Sequence, residues 1–200
     1  EFAELRLGKG VVLSEDTPNF VANRIGIFST VYAINAMDKY GLSIEEVDAA
    51  SGRALARSVT ATYGTSNLAG TDVLAFAVDS HYKTAVDDEM REQWRLPQWI
   101  LDMVDRGYLG EKTGGSFFRE KRTLVIDPKT LEYVPWQDPR QPSIAEANKI
   151  SDPVERVKKF ISFDDEAARF GWDLLAATFV YSANRVPEIC SDIAQIDRGM

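Results

Sequence analysis

One cysteine, one histidine, no long apolar run and no excess of basic residues mark this sequence, and each shortage removes a class of function. Cys190 stands alone, which excludes an internal disulfide framework and any Cys-based zinc site and fits a reducing compartment. His81 is equally solitary, so no multi-His metal site can form, no resident metal is expected, and few general bases titrate near neutral pH. No apolar stretch approaches the ~20 residues of a membrane span, and no signal peptide opens the chain, so a soluble cytoplasmic protein without a membrane partner is expected. A formal net charge of -8 leaves no basic surface for neutralising phosphates, which argues against a nucleic-acid partner. A Gly-x-Gly-x-x-Gly fingerprint is also missing, so no dinucleotide cradle is legible.

What is there suits a folded chain: 200 residues, 44% of them hydrophobic, enough for one good core or for a small domain followed by part of another. The first residue is not Met, and the last, Met200, falls within a helical pattern that lacks a cap, so both ends are expected to be cut from a longer chain. Val11, Val12 and Leu13 predict a short strand. Asp16 or Thr17 as N-cap, with Pro18 behind it, predicts a helix that is apolar over most of its circumference through Ile25, Phe28, Val31 and Ile34. Tyr40-Gly41 stops it, and Ser43 with Glu46 makes a capping box for a second helix from Ile44 to about Ala56.

The small, polar stretch from Ser51 to Gly70 reads as a loop with one turn of helix. Helices are predicted from Thr71 to Thr84 and around Leu96 to Val104, the second with Pro97 at its start and Gly107 at its end. TLVI and LEYV around the turn DPKT predict a hairpin, and QDPRQPS a linker. Helices return through Val154–Ile161 and from about Asp164 to Arg185. Tyr32, Asn35, Ile44 and Asp48 recur as Tyr181, Asn184, Ile193 and Asp197, each 149 residues later, which suggests a duplicated unit. The pair Asn23-Arg24 has no counterpart in the second copy, where Trp172 and Asp173 stand.

Asn23 is the residue of chemical interest. Its amide can donate to a developing alkoxide or ketone oxygen without titrating. Read from the residues alone, a buried Asn more often satisfies neighbouring groups. His81 reads as an exposed or packing side chain away from any carboxylate cluster; Asp87, Asp88 and Glu89 read as a solvated helix start, not a metal site. Lys112 in GEKTGG lacks the full phosphate-loop pattern and reads as a structural turn. Trp94, Trp99, Trp136 and Trp172 read as packing.

Four stretches carry a resemblance. GKGVVLSEDTPNFVANRIG resembles the strand-to-helix junction of the 3-hydroxyacyl-CoA dehydrogenases, with its Asp-x-Pro and Asn-Arg. GRALARSVTATYGTSNLAGTDVL resembles that family's loop before a Gly-Leu-Asp helix start, and LPQWILDMVDRGYLGEKTGGSFF its helix ending in Gly-x-Lys-Thr-Gly-x-Gly-Phe. FGWDLLAATFVYSANRVPEICSDIAQIDRGM is similar to the repeated C-terminal unit of the longer members. Departures occur where relatives carry other residues: Val59 for Lys, Gly64 for Arg, Asn67 for Asp, Thr71 for Leu, and Ser116 for a Gly. The resemblance places that loop near the CoA moiety, and losing two cations argues against its gripping phosphates.

The resemblance implies a mainly α fold of the 6-phosphogluconate-dehydrogenase-like type: a strand remnant of an upstream Rossmann domain over residues 1–13, a helical domain over 14–122, a hairpin and linker over 123–142, and an incomplete second helical copy over 143–200. It implies part of an enzyme that oxidises 3-hydroxyacyl-CoA with NAD in fatty-acid β-oxidation, the catalytic His and the NAD site lying upstream. These residues alone would then bind no cofactor and be inactive. It makes Asn23 the one catalytic candidate, facing the substrate, while Arg24 ties the helix to the domain boundary. It also implies a homo-dimer and, in some relatives, a downstream enoyl-CoA hydratase module. A rival reading treats the chain as a non-catalytic helical assembly module, and a third as the helical domain of a related hydroxy-acid dehydrogenase. Leu174, Phe179 and Ile193 would leave apolar surface uncovered, predicting self-association.

Overall fold

The computed structural model describes residues 2–200. Helix α1 (Phe2–Leu7) buries no side chain, and the predicted strand at Val11–Leu13 is absent: residues 8–15 carry no regular structure. A β-branched run forms a strand only when another strand accepts its hydrogen bonds, and none lies alongside. The segment is instead a strap over the C-terminal end, with the Leu13 amide donating to Gln195 Oε1 at 3.2 Å and the Glu15 amide to the Ile189 carbonyl at 2.9 Å.

Helix α2 (Ala22–Tyr40) starts four to five residues later than the Asp16–Pro18 signal predicts. Asn19 and Phe20 adopt φ of 68° and 49°, so the chain turns sharply before the helix can propagate. Ile25, Phe28, Val31, Ile34 and Met37 are buried, each contributing about 1.5–3 kcal/mol. Gly41, at φ 61°, closes the helix, its amide and that of Leu42 satisfying the last carbonyls.

Ser43 and Glu46 form the predicted capping box, and helix α3 (Ile44–Ser51) follows, ending earlier than expected in a 3-10 turn at Arg53–Leu55. The break falls at Gly52, where an added Cβ would lie 2.7 Å from the Cβ of Ala61. That close approach belongs to helix α4 (Ala61–Ala69), which replaces the expected loop. Its first turn is capped from afar, as Asp48 accepts from the amides of Tyr63 at 2.6 Å and Gly64 at 3.1 Å. Helices α5 (Thr71–Thr84) and α6 (Gln98–Asp105) stand where predicted.

A three-stranded antiparallel sheet follows, β1 (Phe118–Arg119), β2 (Leu124–Ile126) and β3 (Tyr133–Pro135), in the order β1-β2-β3. β2 and β3 are the predicted hairpin, pairing Val125 with Val134; β1 adds an edge. The linker ends sooner than its composition suggests, since Pro142 and Ser143 already belong to helix α7 (Pro142–Asn148). Helices α8 (Pro153–Ile161), α9 (Glu166–Asn184) and α10 (Ile193–Gly199) complete the chain, each N-capped by an aspartate: Asp152, Asp165 and Asp192.

Helices α2 and α9 run antiparallel through the middle of the core. Arg24 meets Tyr181, Ser29 meets Thr178 and Tyr32 faces Asp173, so rising numbers on one helix meet falling numbers on the other. Ser29 and Thr178 are separated by the same 149 residues as the sequence echoes, and their hydroxyls touch at 3.2 Å. The other two contacts exchange under that offset, since Arg24 corresponds to Asp173 and Tyr32 to Tyr181. The crossing therefore has pseudo-two-fold form, with a residue meeting its own counterpart at the centre.

Candidate functional site

The first two turns of α2 divide the polar pair between two environments. Successive helix residues are rotated by about 100°, so Asn23 and Arg24 cannot share a face. Arg24 points into the core with no side-chain exposure. Its Nε donates to the Tyr181 hydroxyl at 2.6 Å, and Nη2 donates to Asp88 Oδ2 at 3.0 Å and Glu188 Oε1 at 2.9 Å. Arg24 thus ties α2 to α9, to the α9–α10 connection and to the segment after α5.

Asp88 is the hub of that network, and it corrects the expectation of a solvated acidic run. Its carboxylate is buried and also accepts from Tyr181 at 2.6 Å and from the Met90 amide at 2.8 Å, with His81 Nε2 at 2.9 Å. Burial opposes its ionisation, but the hydrogen bonds from His81, Tyr181 and Met90 and the Arg24 charge outweigh it and hold the carboxyl below its usual range. His81 does pack, its ring 3.7 Å from that of Trp94, yet it has the carboxylate neighbour that sequence reasoning did not find. Burial pushes its pKa down against the pull of Asp88. Tyr181 is pushed up by burial and by Asp88. Apart from Glu188, whose side chain is partly exposed, the cluster is buried and acts as a structural clamp.

Asn23 is exposed and its side chain makes no hydrogen bond to the described residues. It lines an open groove of about 1160 Å³. α2 supplies Asn23 and Gly26, the turn after α3 supplies Leu55 and Arg57, α4 and α5 supply Thr65 and Val73, and α9 and α10 supply Phe179 and Ile193. The groove is mainly apolar with hydroxyls along its floor, suited to a long aliphatic ligand with a few polar atoms.

The remaining sequence features lie outside it. Lys112 pairs with Asp72 at 2.6 Å, fastening the glycine turn to the start of α5. Trp94 is buried, Trp99 packs on Phe117 and Tyr63, and Trp136 and Trp172 are exposed, the last at 61%, so packing does not explain Trp172. Among the described residues no cluster of His, Cys, Asp and Glu has the geometry of a metal site. Among the described residues no helix is long and apolar enough to cross a membrane. Leu174, expected on the uncovered surface, is fully buried, whereas Phe179 and Ile193 are exposed.

Four of the departures from the family pattern compensate one another locally. Ser116 donates from its amide and hydroxyl to Asn67 Oδ1 at 2.8 and 3.1 Å, and Thr71 donates to the Ser116 hydroxyl at 2.8 Å. Gly64 leaves room for Arg122, whose Nη1 would lie 2.9 Å from an added Cβ and whose Nη2 reaches Asp48 at 2.6 Å. A guanidinium from the 3-10 turn between β1 and β2 thus fills the space beside Gly64. Val59, 76% exposed, has no such compensation.

Residues 20–120 match the family model for the 3-hydroxyacyl-CoA dehydrogenase C-terminal domain. The whole chain is 35% identical to a Bacillus subtilis (strain 168) protein named "Probable 3-hydroxyacyl-CoA dehydrogenase", covering 25% of it. Over 64% of the chain it is 42% identical to a Deinococcus radiodurans protein of the same name, covering 36% of that relative. Over 59% of the chain it is 31% identical to a Mycobacterium tuberculosis 3-hydroxybutyryl-CoA dehydrogenase, covering 40% of it. The chain therefore spans a quarter to two fifths of these relatives. No solved structure gives a significant match. With its helical core, its Asn-Arg pair split between groove and clamp, and its family match from residue 20 to residue 120, the chain belongs to the 3-hydroxyacyl-CoA dehydrogenase family and carries that family's C-terminal domain.

Proposed function

We propose that this chain forms the substrate-facing wall of a 3-hydroxyacyl-CoA dehydrogenase, an enzyme that oxidises the 3-hydroxyl of an acyl thioester in fatty-acid β-oxidation, and that Asn23 is its catalytic contact. One observation carries the reading: an amide with no intramolecular partner stands at an apolar groove large enough for an acyl chain. The amide N–H would donate to the substrate oxygen as it changes from hydroxyl to carbonyl. α2, clamped beneath by Arg24, would hold that donor still, so little reorganisation accompanies the reaction. The groove wall would keep water from the reacting carbon.

The family's oxidation depends on NAD, but these residues do not fit it. A dinucleotide needs a glycine-rich strand-to-helix turn on a parallel sheet, and the sheet here is short and antiparallel. No step is assigned to NAD on this chain, and the 200 residues alone are expected to be inactive. The homo-dimer implied by the resemblance would use the outward side chains of Trp172 and Val180 on α9, which lie outside the groove lining. The test is NADH formation from a 3-hydroxyacyl-CoA by the complete natural polypeptide and its Asn23→Ala variant. A fall of about 100- to 1000-fold in kcat with an unchanged melting temperature is expected. Unchanged turnover would reduce Asn23 to a surface residue.

A further inference from the structure

The groove holds a cation that the rest of the chain leaves without an acid. Buried Arg24 and Arg185 meet carboxylates, and buried Arg156 donates to the backbone carbonyls of Ile150, Ser151 and Arg53. The side chain of half-buried Arg57 has one hydrogen bond, from Nη1 to the Ser29 hydroxyl at 2.7 Å, and no ion pair among the described residues. Burial alone pushes its pKa down, with no carboxylate close enough to restore it. Taking a guanidinium partly out of water without a counter-charge is costly, and such a group commonly awaits an anionic ligand.

The place is specific. Arg57 and Asn23 line the same groove, and Ser29 lies six residues beyond Asn23 on α2, about 9 Å along the helix. Ser58 and Thr65 line the groove with Arg57, and the acid among its lining residues, Asp197 on α10, makes no ion pair with it among the described residues. We infer that Arg57 is a binding residue for an anionic oxygen group of the substrate, in the same groove as the reacting carbon beside Asn23. The inference rests on the proposed function for the position of that carbon. A carboxylate at the far end of the acyl chain and a phosphate of the thioester carrier share this chemistry.

The complete natural polypeptide and its Arg57→Gln and Arg57→Lys variants should be assayed on three substrates: a 3-hydroxyacyl-CoA with a plain tail, the same thioester with a terminal carboxylate, and a phosphate-free pantetheine thioester. Losing one charge-assisted contact should raise KM by about 10- to 100-fold with kcat little changed, and the Lys variant should recover part of it. A KM rise confined to the carboxylated substrate identifies the tail as the source. A rise on both CoA thioesters but not on pantetheine identifies the phosphate. KM values unchanged on all three overturn the inference. Should the unsubstituted enzyme turn over none of them, the functional reading fails and binding decides alone. Adipate and inorganic pyrophosphate, followed by amide NMR shifts around Ser29, then serve as probes: shifts lost in Arg57→Gln support the anion site, and no shifts in the unsubstituted protein refute it.

Discussion

Replacing Asp88 with Asn tests the clamp beneath the groove most directly. The carboxylate has no side-chain exposure and holds Arg24, which is equally sealed, together with Tyr181 and His81. After the substitution Arg24 keeps one acid, Glu188, whose side chain is 41% exposed and well solvated. Removing one partner of a buried ion pair costs about 3–5 kcal/mol, because the other charge stays buried. The remaining amide oxygen can still accept from Tyr181, which places the expected loss near the lower bound, about 3 kcal/mol. Arg24→Met alone should cost a similar amount. The pair Arg24→Met with Asp88→Asn should lose less than the sum by about 1–3 kcal/mol, since neither stranded charge remains. Urea unfolding of the four proteins at neutral pH measures the cycle. Additivity within about 0.5 kcal/mol, or a loss below 1 kcal/mol for Asp88→Asn, would show that the cluster is not an energetic unit. The pH dependence has a definite sign. Asp88 titrates lower in the fold than in the unfolded chain, so its contribution is complete above the ordinary carboxylate range and is lost as pH falls through its folded pKa. Asp88→Asn should therefore flatten the acid limb of the stability profile.

Gly171→Ala should destabilise by about 1–3 kcal/mol in a thermal melt, because the new methyl would stand 2.4 Å from Phe160 Cε1 where α8 crosses α9. Light scattering should find the protein associating as concentration rises, and Val180→Ser should shift it toward monomer; a monomer at all concentrations would remove the role given to the exposed face of α9.

Local signals read well where their causes are local. The capping box at Ser43 and Glu46, Pro97 before α6, and the turn between β2 and β3 involve neighbours in sequence, and each element formed where those neighbours indicated. α4 was missed because its cap is Asp48, 15 residues before Tyr63, a partner no window around the helix contains. The strand expected at Val11–Leu13 failed for the opposite reason: its composition was suitable, but a ladder needs a second strand. At the site, Asn23 lies open to the groove, and nothing local foretold that exposure. The burial of Asp88 was illegible, because its partners Arg24 and Tyr181 are 64 and 93 residues away.

The crossing of α2 and α9 has a consequence for the chemistry at its two ends. At one end a tyrosine, Tyr181, is met by a cation, Arg24; at the other its counterpart, Tyr32, is met by an anion, Asp173. A helix docking on an identical copy of itself must present the same side chain at both ends, so opposite charges there are forbidden by symmetry. Holding both halves in one polypeptide lifts that restriction and lets each end acquire its own chemistry: an inward cation locking a sealed cluster on one side, and an acid shared with Lys39 and Tyr40 near solvent on the other.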